Sequence, residues 1–139
     1  MKNKKLKGYI FSRPFMGERV PQHVQNIVLR DYCTKHNFSF LMSATEYSMK
    51  NSHLMLFQTL NDIKKFDGIV FYSLFQLPEN NKVRKKILEK ILKMKKEIHF
   101  SLEQMKMINK NDLEKIEEIW KIKKILPFCP TYIWKKERQ

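Results

Sequence analysis

The apolar positions of this chain change their period repeatedly, and each change marks an element. Lys7–Phe11 is a short apolar run behind a charged leader, the pattern of a buried strand. After the loop 12–20, Pro21 suits the first turn of a helix, where its missing N–H costs nothing. Val24, Ile27, Val28 and Tyr32 then recur at helical spacing until His36-Asn37. Phe38–Met42 reads as a second strand, and the polar stretch "SATEYSMKNS" as the loop behind it. Asn51 or Ser52 is placed to cap a second helix whose apolar face is Leu56, Leu60 and Ile63. Asp67-Gly68 is a turn, "IVFYSLF" is the most strand-like segment of the chain, and "QLPEN" breaks it. Residues 81–97 predict a third helix with Val83, Ile87, Ile91 and Met94 along one face, followed by a fourth strand at Ile98–Leu102. Asn111 with Glu114 forms a capping pair for a fourth helix, whose apolar side is Ile116, Ile119 and Trp120. Met94, Met105 and Met107 read as core filler.

Strands alternating with helices predict a mostly parallel sheet covered on both faces. In such sheets ligands sit outside the carboxyl ends of the strands, so the residues following each strand are the ones to compare. Strand one is followed by Ser12, Arg13, Glu18, Arg19, Gln22, His23 and, within the helix, Asn26. Strand two is followed by Ser43, Thr45, Glu46 and Tyr47; strand three ends at Tyr72, Ser73 and Gln76; strand four leads to Ser101, Glu103 and Gln104. The loops at the opposite end, "KHN", "KKFD" and "KMKKE", are generic lysine turns. Chemically rich residues therefore converge on one edge of the sheet.

The first loop is the richest. "SRPFMGERVPQHVQN" holds two arginines, one of the three glycines and two of the five prolines. A guanidinium grips a carboxylate or phosphate through two parallel hydrogen bonds, which lysine cannot do. A following helix N-terminus adds N–H donors and a favourable dipole. Arg13 and Arg19 are thus a candidate anion clamp, with Gly17 permitting a tight bend. The competing reading pairs them with Glu18 and Glu46 in structural salt bridges. His23 is a candidate acid or base, and Glu18, Glu46 and Glu103 are candidate proton-transfer carboxylates. Tyr47 and Tyr72 can stack or hydrogen-bond. His36, His53 and His99 are scattered and read as structural or exposed. No GxGxxG or GxxxxGK[ST] motif occurs, which argues against a Rossmann or P-loop nucleotide site.

Composition adds bounds. The 139 residues suit one domain with a real core. The net charge of +14 is nearly all lysine, the pattern that A+T-rich codon usage produces, so it reads first as a solvated coat. The start, "MKNKKLKGYIF", is basic and then apolar, but the run stops at Ser12-Arg13 and no small-residue cleavage site follows. No apolar run approaches the ~20 residues of a membrane span. Cys33 and Cys129 belong to no CxxC or zinc pattern and suit reduced thiols, so the expected location is the cytoplasm.

Two resemblances follow from quoted segments. "GYIFSR" and "DGIVFYSLFQLPEN" are similar to the first and third strands of the catalytic domain of serine recombinases (resolvases), a likeness over roughly residues 7–105. Recombinases carry a tyrosine, an arginine two positions later and the nucleophilic serine four positions later. Here Tyr9 is followed at those offsets by Phe11 and Arg13, with Ser12 one place early. Their paired arginines after the third strand correspond to Gln76 and Glu79 or near neighbours. The resemblance implies the scaffold and argues against strand transfer. Second, "GYIFSRPFMGERVPQHVQNIVLRDYC" followed by "LMSATEYSM" resembles the sporadic carbohydrate cluster proteins of bacteria. That likeness implies a place in surface-polysaccharide or unusual-sugar biosynthesis and leaves the reaction open.

The expectation is one α/β domain over 1–139, its tail 127–139 unassigned: three layers, a mostly parallel sheet of four to five strands, helices on both faces, resolvase-like or flavodoxin-like. The expected function is to bind or convert an anionic sugar metabolite, a sugar phosphate or nucleotide-sugar, at the C-terminal edge of the sheet. Ser12, Arg13, Arg19, Gln22, Asn26, Ser43, Thr45, Tyr47, Tyr72, Ser73 and Glu103 would bind it; His23 with Glu18 or Glu46 would move protons, as in an isomerase, epimerase or lyase. No cofactor, metal or membrane insertion is expected, nucleic acid is not the expected partner, and an apolar stripe left exposed on a surface helix would suggest a homodimer. The alternatives are an accessory subunit of a sugar-biosynthesis enzyme and a resolvase-derived nucleic-acid-binding module.

Overall fold

Five short strands form the centre of the molecule. The structure is a computed structural model and describes residues 3–126. In chain order the elements are β1 (Lys5–Phe11), α1 (Gln22–Lys35), β2 (Ser39–Glu46), α2 (Leu54–Asn61), β3 (Gly68–Phe71), α3 (Asn81–Lys93), β4 (Glu97–Phe100), β5 (Met105–Met107) and α4 (Lys110–Ile125). Single 3-10 turns lie at Ile63–Lys65 and Leu74–Gln76. The sheet order is β2-β1-β3-β4-β5; the first four strands are parallel and β5 runs antiparallel to β4. The expected three-layer, mostly parallel α/β fold is what the structure has.

The layers follow from the strand patterns. β1 and β3 are buried on both faces, as parallel strands between helical layers must be. One face presents Leu6, Ile10 and Val70 to Leu29, Tyr32 and Cys33 of α1. The other presents Tyr9, Ile69, Phe71, Ile98 and Phe100 to α2, α3 and α4, with Leu56, Leu60, Ile87, Ile91, Ile116 and Trp120 as the facing residues. One helix covers one face and three cover the other. Cys33 is buried and free, and burial pushes its thiol up to about 11. Trp120 packs α4 into the core, as its place on the apolar side of that helix implies; Trp134, Cys129 and the rest of the tail lie outside the described residues.

Several boundaries differ from the expectation for identifiable reasons. β2 extends through Thr45 and Glu46, which the polar composition had assigned to a loop. Its register against β1 slips by one residue between Lys7 and Tyr9, so a bulge stands opposite Gly8. A Cβ on Gly8 would run into the Ser43 hydroxyl and crowd Ser43 Cβ and the Phe40 ring at 3.0 Å, so any other residue there would have to displace them. The bulge leaves Met42 83% exposed on an edge strand. β3 stops at Phe71 because Ser73 caps the 3-10 turn, its hydroxyl accepting from the Phe75 N–H. α3 ends at Lys93 rather than 97, and α4 is capped by Asn109 rather than Asn111, the Asn109 side chain accepting from the Asp112 N–H. The pattern does not predict β5, because three residues are too few for a period to show, but Met107 is buried in the core and Met105 packs against it, as expected of core filler.

Candidate functional site

The chemically rich residues do gather at the C-terminal edge, but most are bonded to the protein itself. Ser12 donates its hydroxyl proton to the Glu46 carbonyl at 2.6 Å. Arg13 reaches the same β2–α2 loop: one guanidinium nitrogen, Nη1, donates to the carbonyls of Tyr47 (3.1 Å) and Ser52 (2.7 Å), and the group stacks 4.0 Å above the Phe11 ring. Two successive residues after β1 therefore tie down the loop after β2. Just beyond them, Phe15 and Glu18 exchange backbone hydrogen bonds around Met16 and Gly17. Both central residues have positive φ, +56° and +74°, as a type I′ turn requires. Gly17 is the bend the sequence implied.

Glu46 is 1% exposed and anchors the start of α2. Its carboxylate accepts from Tyr9 Oη (2.9 Å), Ser52 Oγ (3.1 Å) and the backbone N–H groups of Tyr47, Met55 and Leu56. Burial alone would push its pKa up. The donors of Tyr47, Tyr9, Met55 and Leu56 outweigh burial and hold it below the usual carboxylate range. It caps a helix N-terminus from a neighbouring strand, where the favourable dipole adds to the bonds. The expected proton-transfer role does not fit a carboxylate so enclosed.

The same holds elsewhere on the edge. Gln25, fully buried, accepts from the Phe11 N–H and from Gln76 Nε2 and donates to the carbonyls of Phe11 and Val20, locking α1 to β1 and the β3–α3 loop. Ser43 donates to Asn26 at 2.6 Å. Glu103 accepts from the Ser73 hydroxyl and the Leu74 N–H, both at 2.8 Å. Tyr72 is buried beside the α1-side core, and burial, with Glu103 and Glu18 nearby, raises its pKa. Arg84, a near neighbour of the positions aligned with the recombinase arginine pair, is 2% exposed. It bonds Glu117, Asn81 and two carbonyls under the Trp120 ring, away from the edge.

What remains open is a cleft of about 360 Å³ between the β1 loop, the β2–α2 loop and the end of α4. Phe11, Phe15 and Phe75 give it aromatic walls; Arg13, Lys50, His53 and Lys123 give it charge and donors against one acid, Glu79. Arg13 Nη1 is engaged, while among the described residues its Nε and Nη2 carry no hydrogen bond. Lys123 lies over Phe75 and Trp120. The His53 ring sits with Nε2 3.2 Å from the Gln76 carbonyl and Nδ1 3.3 Å from that of Asn51. Burial, and then the Arg13 charge, lower its pKa.

Of the expected site residues the cleft takes Arg13. Arg19, Glu18, Gln22 and His23 are exposed on the loop and on the first turn of α1 and do not line it, so the anion clamp of Arg13 with Arg19 is not formed. The alternative pairing of these arginines with Glu18 and Glu46 is not formed either; among the described residues neither arginine makes a salt bridge. Asn26, Ser43 and Thr45 instead line a separate groove between α1 and the β2 edge. Tyr47 is exposed and supplies a carbonyl rather than its ring. Reading residues as isolated chemistry missed Lys50, His53, Phe75 and Lys123, because their common cleft exists only through the loop after β2 and the far end of α4.

No family model and no curated protein matches the chain. Two solved structures do. The N-terminal catalytic domain of TP901-1 integrase is 16% identical, with a TM-score of 0.64 over 89% of this chain and 98% of that one. A resolvase family site-specific recombinase from Streptococcus pneumoniae is 10% identical, with a TM-score of 0.61 over 96% of this chain and 99% of that one. At such identities the likeness establishes the resolvase-type scaffold. It corrects the functional expectation: the neighbours are an integrase catalytic domain and a site-specific recombinase, and nothing found links the chain to the carbohydrate cluster family. The anionic-sugar reading is withdrawn, and the exclusion of nucleic acid as a partner goes with it. Among the described residues no helix is long and apolar enough to cross a membrane.

Proposed function

We propose that this chain is a nucleic-acid-binding module on a resolvase-type scaffold, holding the phosphodiester backbone at the basic edge cleft. The observation that carries the reading is the cleft itself. Arg13, Lys50 and Lys123 converge there over aromatic walls, on a scaffold shared with an integrase catalytic domain and a resolvase family site-specific recombinase. Cations suit phosphates, and Phe11, Phe15 and Phe75 suit the sugar and base faces beside them. The net charge of +14, set aside at first as a lysine coat, supports the same partner. Strand transfer is not part of the proposal: the Ser12 proton is committed to the Glu46 carbonyl and Arg84 is buried away from the edge.

The test is affinity for a 30-base-pair DNA duplex measured against salt. Three cleft cations predict a log–log slope steeper than about −2.5, and Lys50→Ala with Lys123→Ala should flatten it by about 2. A slope near zero, or no binding at micromolar protein and low salt, would overturn the reading.

A further inference from the structure

α3 and α4 lie side by side and run in opposite directions. Asn81 at the start of α3 accepts from Lys124 at the end of α4, and Lys93 shares a groove with Asn109 and Lys110 at the other end. Each helix carries five lysines. α4 mixes them with Asp112, Glu114, Glu117 and Glu118. α3 has one acid, Glu89, which lies four residues from Lys85 and from Lys93 and lines the α3–α4 groove with both. That leaves Lys82, Lys86 and Lys90 as a separate row. All three are exposed and recur every four residues; no acid stands four positions from any of them, and Glu89, three from Lys86, makes no ion pair with it. Among the described residues none of the three is in an ion pair.

The row works against the helix that bears it. Like charges four residues apart destabilise a helix. Lys82 also occupies the first turn, where the dipole disfavours a cation, and that turn holds no acid. The row is continuous with the edge cleft: it begins three residues after Glu79, which lines the cleft, and Lys124 donates to the Glu79 carbonyl as well as to Asn81. From Lys82 to Lys90 it rises about 12 Å along the helix.

We infer that the Lys82–Lys86–Lys90 row is the surface along which a nucleic-acid duplex lies as it leaves the cleft. The inference rests on the nucleic-acid reading above. A duplex is the occupant that the chemistry favours. Asn81–Lys93 contains no aromatic residue on which an unpaired base could stack. Lysines at helical spacing contact phosphates without reading sequence, and a duplex offers one charge per ~1.7 Å of axis. A membrane surface fits less well, because the apolar face of α3 (Ile87, Leu88 and Ile91) is buried in the core and has nothing to insert.

The test compares two variants that remove the same charge. Lys82→Ala, Lys86→Ala and Lys90→Ala together remove the row; Lys110→Ala, Lys115→Ala and Lys121→Ala together serve as the control on α4. With a 30-base-pair duplex of arbitrary sequence, the row variant should bind about 10²-fold more weakly at 0.1 M salt, its slope flatter by about 2.7. The α4 variant should stay within about threefold of wild type. Equal losses in both would mean net charge alone is felt and would overturn the row. Binding of phosphatidylserine vesicles that exceeds duplex binding and depends on the row would overturn the duplex as occupant. If wild type itself fails to bind duplex, the cleft reading falls and the row with it, a result distinct from either of the others.

Discussion

The sheet's C-terminal edge and the outer face of α3 exchange the roles their compositions suggest. The edge holds arginine, glutamate, glutamine and serine, the residues one would choose for chemistry, and many of them bind the protein. Ser12, Arg13, Gln25, Glu46 and Glu103 each close a loop or cap a helix. α3 carries plain lysines, the residues one would dismiss, and among the described residues Lys82, Lys86 and Lys90 make no ion pair. Short polar side chains next to strand ends fall within reach of neighbouring backbone, so the fold uses them. Long flexible ones on a helix crest reach only solvent or a partner. Functional promise in a sequence therefore has to be discounted by what the fold can consume.

The largest break of that comparison would come from Glu46. Replacing it with alanine orphans Tyr9 Oη and the N–H groups of Met55 and Leu56 together. The expected loss is about 3–5 kcal/mol of unfolding free energy in a denaturant titration. A loss below about 1 kcal/mol would mean that the edge is not held by this carboxylate.

Next in size is an acid titration at the other end of the sheet. Glu97 accepts from His99 Nε2 (2.7 Å) and Lys4 Nζ (2.9 Å), while His99 Nδ1 meets Tyr32 Oη at 2.7 Å. The His99 hydrogen bond, opposed by burial and helped by Lys4, draws the Glu97 carboxyl down to about 2. A depressed pKa stabilises the fold above the unfolded value and loses that contribution as pH falls through the folded one. Stability should drop by about 3 kcal/mol between roughly pH 5 and pH 2. Glu97→Gln should remove that part of the pH dependence; an unchanged profile would show that the chain Lys4–Glu97–His99–Tyr32 contributes nothing.

Arg13 has a foot in both regions, since its Nη1 is bonded and the rest of the group lines the cleft. Arg13→Ala removes two hydrogen bonds to carbonyls and the stacking on Phe11, an expected loss of about 1–2 kcal/mol. Duplex affinity should fall with it. Stability lost with affinity intact would make Arg13 wholly structural.

The sequence announced the scaffold more clearly than the site. Alternating apolar periods gave β1, α1, α2, α3 and α4 their approximate places because each buries a regular face. β5 is too short for a period, and β2 was cut short because Thr45 and Glu46 are polar although Glu46 is buried. Glu46 inside a strand is satisfied by donors from α2, a tertiary fact that no local pattern contains. The convergence on one edge was readable, since it needs only strand order along the chain. Which residues stayed free there was not, because Arg13 bonds carbonyls near residue 50 and Lys123 arrives from the end of α4.

The smallest effect is the most discriminating. Lys86 stands between Lys82 and Lys90, four residues from each, and is exposed. Lys86→Glu replaces two like-charge pairs with two opposite ones, against a single contact with Glu89, three residues on, that turns from opposite to like; the new pair toward Lys90 has the favourable order. The fold should gain about 0.5 kcal/mol, a rise of about 2 °C in thermal midpoint, while duplex affinity falls. A gain in stability together with a loss of binding is the signature of a residue kept for a partner at the expense of the free protein. A loss of stability would mean that Lys86 has an intramolecular role after all, and α3 would then join the edge as a region whose charges serve the fold.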